Sequence, residues 1–360
     1  MKLHAFSLCV FACTACAFDI DDVFDRLDNA LTVSLFQDNL RVRLSGTLDL
    51  EFYNFEQPAP GLIDSRTDNL FNPRLTLFVD AQLGSQIYFF AQTRVDRGFD
   101  PTDQGADIRL DEYAVRITPW LDGRFSLQVG KFATVVGNWV PRHLSWDNPF
   151  INAPLVYENV TAIQDKYAPY SPLYFVYGPY YYAKYSFNPV IWAFSGRVGF
   201  KPNEAWNFGF SASEGPYFRR EAEPTLPPGR DIDDYREFVL GQDASFAWHH
   251  LQVWAEFYEA RFEVPRVGNA DTFAYYIEAK YKFTPQFFGA LRWNQQLFGT
   301  VSDGYGHNVH WSEDLGRIDV AVTYRFTPHA QLKLQYDFQH ETTGPADNNH
   351  LFAAQFTVRF

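Results

Sequence analysis

The chain has 360 residues, of which 46% are hydrophobic, 18% aromatic and 20% charged, with 36 Phe, 21 Tyr and 9 Trp. That composition is too apolar and too aromatic for a disordered chain, and the length suits one large β domain or two ordinary ones. A net charge of −13 argues against a nucleic-acid partner, and a mean hydropathy of −0.28 argues against a bundle of membrane helices.

The sequence opens Met1-Lys2-Leu3-His4, runs apolar from Ala5 to Ala12, and reaches small residues at Ala15-Cys16-Ala17. A positive start, a short apolar middle and an A-x-A end are the three parts of a secretory signal peptide, so cleavage is expected after Ala17 and residues 1–17 read as leader. The alternatives are an N-terminal strand or core helix, or a lipidated Cys16; Cys13 stands where the latter wants an aliphatic residue. All three cysteines, Cys9, Cys13 and Cys16, fall in the leader, so the mature chain is expected to have no disulfide, no thiol nucleophile and no cysteine metal site. Losing the leader removes Lys2 and no acid, which makes the mature protein one charge more negative. Past it, no apolar run is long enough for a membrane helix: the longest uncharged stretch, Tyr167 to Ala183, contains Pro169, Pro172 and Pro179. The exported chain is expected either to be soluble or to cross a membrane as strands.

Residues 18–40 read as an N-terminal extension. Within 19–31, Ile20, Val23, Phe24, Leu27 and Leu31 recur every three or four residues among Asp19, Asp21, Asp22, Asp25 and Asp28, which predicts a short acidic amphipathic helix at the periplasmic mouth, in the lumen, or loosely attached.

From residue 41 onward the dominant period is two. Val42, Leu44, Leu48 and Leu50 alternate with Arg43, Ser45, Thr47 and Asp49. The same alternation runs through 251–257, 273–283 and 317–326, and Leu332, Leu334, Tyr336 and Phe338 alternate with Lys333, Gln335, Asp337 and Gln339. Each such run predicts a strand with one apolar and one polar face. A connector recurs between strands: Ile117-Thr118-Pro119, Phe200-Lys201-Pro202, Phe283-Thr284-Pro285 and Phe326-Thr327-Pro328. Proline lacks an N–H for the ladder and its fixed φ suits a tight turn. Gly84-Ser85 and His249-His250 mark two more turns, and a seventh is placed near Tyr167–Pro172. Longer polar stretches lie at about 56–69, 97–106, 133–160, 183–189, 214–235, 261–271, 298–315 and 341–349.

Short turns at one end and long loops at the other predict an all-β antiparallel transmembrane β-barrel of about sixteen strands, within a range of 14–18, occupying residues 41–360. Trp120, Phe200, Trp206, Phe283, Phe287 and Phe326 sit beside the short turns, where an interfacial girdle falls. Hairpins of a soluble sandwich would also alternate, but they do not account for charges on the second face of nearly every strand. The last strand, Phe352, Ala354, Phe356, Val358 and Phe360, looks like the aromatic-ended terminal strand of bacterial outer-membrane proteins.

If the apolar set faces lipid, the polar set faces inward. It includes Arg43, Asp49, Arg74, Asp80, Arg94, Asp96, Arg116, Arg124, Glu256, Glu278, Lys280, Arg292, Arg317, Asp319, Arg325 and Asp337. Such charges are costly in a dry core and natural in water, and about sixteen strands enclose an aqueous channel. The expected function is passive diffusion of small hydrophilic solutes or ions, without catalysis and without a cofactor or bound metal.

The segment 87–94, followed by Ile108-Arg109-Leu110-Asp111-Glu112-Tyr113-Ala114-Val115 and then Phe125-Ser126-Leu127-Gln128-Val129-Gly130-Lys131-Phe132, resembles the phosphate-selective porin O/P-like family of outer-membrane channels. The likeness covers residues 70–160 in motif and the whole chain in layout. It implies a homotrimer in the bacterial outer membrane, in contact with membrane lipid and lipopolysaccharide, and a third loop at about 133–160 folded inward to narrow the pore. Candidate constriction and lumen residues are Arg94, Arg116, Arg124, Lys131, Trp139, Arg142, His143, Asp147, Arg292 and Arg325, with Pro141, Pro149 and Pro154 stiffening the loop. An external cap is the plainer reading of that loop. Phosphate-selective members are expected to carry arginine ladders and a lysine cluster; here the cations are interleaved with acids, so phosphate specificity does not transfer, and a general or weakly cation-favouring pore fits better.

Three other functions compete. An outer-membrane enzyme needs a nucleophile beside a base; His249, His250, His307, His310 and His340 lie beside no such serine, and His307 with His310 is a weak metal pair. A sugar- or anion-selective porin would use an inward aromatic track, for which Tyr88, Phe90, Trp254, Tyr258 and Tyr276 are candidates. An adhesin barrel would carry longer loops and a packed lumen.

Overall fold

The structure, a computed structural model, describes residues 20–57, 59–60, 63, 65–97, 107–120, 125–133, 135–159, 171–177, 181–188, 192–218, 220–341 and 348–360. The predicted leader, residues 1–17, and Arg124 lie outside the described residues.

Sixteen strands make the wall. In chain order they are β1 Leu40–Phe55, β2 Asn69–Leu83, β3 Ile87–Asp96, β4 Asp107–Ile117, β5 Phe125–Lys131, β6 Ser171–Tyr177, β7 Tyr181–Asn188 and β8 Ala193–Phe200. They continue as β9 Trp206–Pro216, β10 Arg236–Trp248, β11 Leu251–Val264, β12 Gly268–Lys282, β13 Phe287–Phe298, β14 Leu315–Arg325, β15 Ala330–Glu341 and β16 Asn348–Arg359. Each pairs antiparallel with its sequence neighbours. The last strand returns to the first through Phe356↔Leu50 and Thr357↔Asp49, so every strand has a partner on both sides and the ring is closed. Closure removes the unpaired edges that an open sheet would expose to lipid. The chain is an antiparallel transmembrane β-barrel.

The wall has the polarity of a membrane barrel. Leu44, Leu48, Leu50, Phe52, Phe210, Ile277, Leu291, Val320, Leu334 and Phe352 are exposed on the outside, while Asp49, Glu51, Arg292, Asn294, Arg317, Asp319, Lys333 and Asp337 on the same set of strands are buried inside. The pleat turns each period-two pattern into this inside-out arrangement. Trp120, Phe283 and Phe326 stand exposed beside the short turns, at the girdle level. The backbones of Gly46 and Phe360 exchange two hydrogen bonds of 3.0 Å, docking the terminal residue on β1. A Cβ at position 46 would lie 2.7 Å from the Phe360 ring and 2.9 Å from the Thr76 carbonyl, so only glycine admits this approach.

Several boundaries differ from the sequence reading. The turn placed near Tyr167–Pro172 is instead the connection between Tyr177 and Tyr181, and Pro172 lies within β6. Residues 183–189, expected as a loop, are mostly β7. The loop expected at 261–271 shrinks to residues 265–267, because β11 and β12 pair all the way to Val264↔Gly268. At 261–271 polar residues continue the ladder above the apolar band and look like loop, since nothing local distinguishes a strand that extends into water; at 183–189 the outward Tyr185 and Phe187 belong to the exposed apolar face itself, and the short mixed run hides the alternation.

The acidic helix runs Ile20–Ala30 and packs on the short-turn rim. The Phe24 ring stacks on His329 at 5.3 Å, the Asp25 carboxylate meets His329 Nε2 at 3.1 Å, and Asp28 accepts from Arg43 Nε at 2.9 Å. The short strand Thr32–Leu35 then folds back on the start of β1.

Candidate functional site

The third loop, between β5 and β6, does not cap the barrel. It crosses the lumen and lies against the opposite wall, β9 and β11–β16. The Gly137 amide donates to Ser211 Oγ at 3.1 Å and the Asn138 amide to Glu256 Oε1 at 3.1 Å. Arg142 donates to Glu278 Oε1 at 2.5 Å and to the Tyr276 hydroxyl at 3.1 Å, with its guanidinium 4.2 Å over the Trp254 ring. The Ile151 amide donates to Gln335 at 2.5 Å, and Asn152 donates to Asp337 at 2.7 Å.

The wall, in turn, donates to the loop's carbonyl oxygens. Arg292 reaches Asn152 O at 3.0 Å and Ala153 O at 3.2 Å; Arg317 reaches Ala153 O at 2.5 Å and the Glu158 carboxylate at 3.0 Å. Lys333 Nζ donates to Ser145 O at 3.1 Å, Phe150 O at 3.2 Å and Gln355 Oε1 at 3.0 Å, and Arg325 reaches Trp146 O at 2.9 Å. A loop short of regular hydrogen bonding has many orphan carbonyls, and cations from a ladder are strong donors to them. Behind these contacts the charges balance: Arg292 Nε to Asp319 at 2.6 Å, Arg317 Nε to Asp319 at 3.0 Å, Arg292 to Glu278 at 3.5 Å. Buried charge is tolerable only when paired in this way.

Glu256 is the centre of a second anchor. It accepts from the Tyr157, Tyr258 and Tyr276 hydroxyls at 2.5, 2.8 and 2.6 Å. Val136, Trp139 and Val156 of the loop pack there against Tyr258, Ala274 and Tyr276 of the wall.

Open space remains on both sides of the loop: a cavity of about 770 Å³ by the turn at 201–205 is lined by inward-facing Asn207, Ser245, Gln252 and Trp254, and a smaller one lies between the loop and the first strands. The smaller cavity, of about 70 Å³, is lined by Trp139, His143, Ser145 and Asn148 from the loop and by Asp49, Arg74, Thr76 and Arg94 from the near wall. Arg74 meets Glu51 at 2.5 Å and Asp49 at 3.4 Å; Arg94 meets Asp111 at 3.0 Å, and Arg109 meets Asp96 at 2.9 Å. Each guanidinium at the opening thus faces a carboxylate. Burial, with Arg94 and Arg74 adding to it, pushes the His143 imidazole down to about 4, against the opposing pull of the Val140 carbonyl.

The structure separates the residues that the sequence grouped together. Arg94 and His143 line the opening, and Trp139 bridges it and the far wall. Asp147 is exposed on the loop. Arg116 faces inward near the short-turn end, donating to Gln128 at 2.9 Å. Arg142, Arg292 and Arg325 hold the loop, and Arg292 is wholly buried rather than pore-lining. Lys131 departs from its expected lumen position: it pairs with outward-facing Tyr113, and its Nζ reaches Leu110 O at 3.3 Å. The order Gln128 in, Val129 out, Gly130 in puts Lys131 on the outer face. Tyr88, Phe90, Trp254, Tyr258 and Tyr276 do face inward, but the loop covers Tyr258 and Tyr276, so they form no continuous track. Residues that the sequence reading did not single out, Lys333, Gln331 and Glu158, are among the loop's anchors; the alternation marked Lys333 as inward-facing but not what it would meet. Among the described residues no group of three metal-ligating side chains converges; His307 instead pairs with Asp303 at 3.0 Å in an external loop.

A closed sixteen-stranded ring with a loop folded into its lumen defines the class: the outer-membrane porin fold. No family model and no curated protein matches the chain. Solved structures do. The anion-selective porin of Comamonas acidovorans superposes with a TM-score of 0.64 at 9% identity, over 89% of this chain and 100% of the porin. OmpT, an outer-membrane protein of Vibrio cholerae, gives 0.64 at 11% identity over 91% and 99%. The outer-membrane channel DcaP of Acinetobacter baumannii gives 0.62 at 11% identity over 91% and 100%. At these identities the likeness is one of fold.

Proposed function

We propose that the protein is an outer-membrane porin that lets small hydrophilic solutes and ions diffuse passively, without catalysis. The observation that carries this reading is the third loop anchored across a closed, charged lumen. Similarity to outer-membrane porins and channels supports the location, with lipid and lipopolysaccharide outside and long loops facing the medium. The resemblance to the phosphate-selective porin family favours a homotrimer. Arg74 and Arg94 at the opening favour a second, anion-selective reading; the carboxylates facing both offset their charge and favour weak discrimination.

Planar-bilayer recording across a salt gradient tests both. Step currents with a reversal potential near zero are expected; silence from correctly folded protein would sink the pore, and a strongly anion-driven potential would replace weak discrimination by the second reading.

His143 adds a pH dependence. Its folded pKa of about 4 lies below the ordinary imidazole value, so the unfolded chain binds the extra proton first as pH falls. Loop stability is therefore full above the ordinary value and declines between it and about 4. On protonation the opening gains a positive charge beside Arg74 and Arg94. The reversal potential is expected to move toward anion preference as pH falls through about 4, and His143→Gln is expected to reduce that movement.

A further inference from the structure

On the β9–β11 side, at the short-turn end, the lumen widens into the cavity of about 770 Å³. Strand pairing sets its inner wall. Asn207 on β9 stands beside Ser245 on β10, and Ser245 beside Trp254 on β11; Gln252 precedes Trp254 on the same inward row. Neighbouring strands lie about 4.8 Å apart and alternate residues about 7 Å, so the four side chains cover a patch of roughly 10 by 7 Å. All four are half-buried. Arg142 of the loop covers one face of the Trp254 indole at 4.2 Å, and the rest of the ring borders the cavity.

The charges around this patch are already engaged. Arg197 donates to Asp243 through Nε at 2.8 Å and Nη2 at 2.6 Å, and Arg142 holds Glu278 at 2.5 Å. No Cβ fits at Gly209, because the Arg197–Asp243 pair lies against its backbone and so stays close to the wall. Lys280, the ladder neighbour of Gln252, turns its ammonium over the Phe288 ring on β13 at 4.2 Å. At the turn, Lys201 and Glu204 supply one charge of each sign. What the patch itself offers is neutral. The side chains of Ser245 and Gln252 make no hydrogen bond among the described residues, and Asn207 accepts one from the Tyr182 hydroxyl at 2.7 Å, which leaves its NH2 for the cavity.

An ion gains little from a wall whose charges are paired. A neutral polyol, in contrast, needs fixed donors and acceptors for its hydroxyls and an apolar ring for its C–H face. Hydroxyl and primary amide side chains each present both a donor and an acceptor. We propose that this cavity is a binding station for a neutral carbohydrate, with one sugar ring against Trp254 and its hydroxyls paired with Asn207, Ser245 and Gln252. This assignment rests on the diffusion-pore reading and gives that pore a solute class. A station needs a single aromatic rather than a track, so the cover that the loop lays over Tyr258 and Tyr276 does not oppose it. A volume of about 770 Å³ falls within the usual range for small-ligand sites.

The folded full-length protein, in a detergent without a sugar head group, is titrated with maltose while saturation-transfer NMR reads contact with the sugar's ring protons; bilayer conductance is recorded in parallel. Saturable transfer is expected. Trp254→Ala and Gln252→Ala should each weaken maltose binding by roughly five- to tenfold, and Trp254→Phe should retain most of it. Trp254 also carries Arg142, so Gln252→Ala, at a side chain with no hydrogen bond to the loop, separates loss of the station from release of the loop. Tyr305→Ala, at an external position 89% exposed, should leave binding and conductance unchanged, which sets aside casual contact with surface aromatics. Succinate and putrescine should not displace the sugar. No transfer to maltose from a conducting barrel, wild-type binding by both Trp254→Ala and Gln252→Ala, or displacement by either charged solute would overturn the station and leave the pore standing. A folded barrel that is silent in the bilayer would instead overturn the pore reading itself.

Discussion

Excising residues 138–157 and bridging the gap with a short flexible linker is expected to raise single-channel conductance several-fold. The barrel alone, at sixteen strands, encloses an aqueous channel; the loop lies across it against the far wall and narrows the space between loop and near wall to a cavity of about 70 Å³. The excised barrel should still fold. The wall charges that the loop covers remain paired with one another, Arg292 with Asp319 at 2.6 Å and Arg317 with Asp319 at 3.0 Å, and the water that replaces the loop hydrates the rest. Lys333 loses its two loop acceptors, keeps Gln355 and gains solvent. Bilayer recordings of the excised protein, with heat-modifiability on gels to confirm folding, decide the matter. A folded barrel with wild-type conductance would mean that the loop is not what limits flow.

The second large effect is expected at Arg317. Its guanidinium serves the Glu158 carboxylate, the Ala153 carbonyl and Asp319 at once, and it is wholly buried. Replacing it with Met leaves Glu158 and Asp319 facing low dielectric with a partner gone. Breaking a buried pair from one side costs about 3–5 kcal/mol. In this architecture the loop can relieve that cost by leaving the wall, because the lumen admits water while the lipid side does not. Arg317→Met is therefore expected to free the loop rather than unfold the barrel, seen as proteolytic cutting between 138 and 158 and as noisy open-channel current. The double variant with Glu158→Gln should recover part of the loss, as expected for two residues in contact. Protease resistance and quiet currents equal to wild type in Arg317→Met would show that the anchor lies elsewhere.

These anchors also show how far the primary structure could be read. The period of two placed Arg292, Arg317, Asp319, Lys333 and Asp337 on one face. The short Pro-bearing turns and terminal Phe360 pointed to a membrane ring of about sixteen strands with that face inward. The third loop was legible as a long polar segment with three prolines. Its destination was not, because Asn138, Arg142 and Asn152 find their partners Glu256, Glu278 and Asp337 more than a hundred residues away. Lys131 was misplaced for a smaller reason: it continues the outward row of Leu127 and Val129, and at the end of a strand a polar side chain on the outer face can reach water.

Strand periodicity, turn chemistry and the separation of apolar from charged faces are local properties, written in the order of the residues because each follows from the pleat and from the two solvents on either side of the wall. Which cations bind the loop and which face the opening is a different kind of fact. It depends on ring closure bringing β9 and β11–β16 opposite the exit of β5, a consequence of long-range pairing that no single segment encodes.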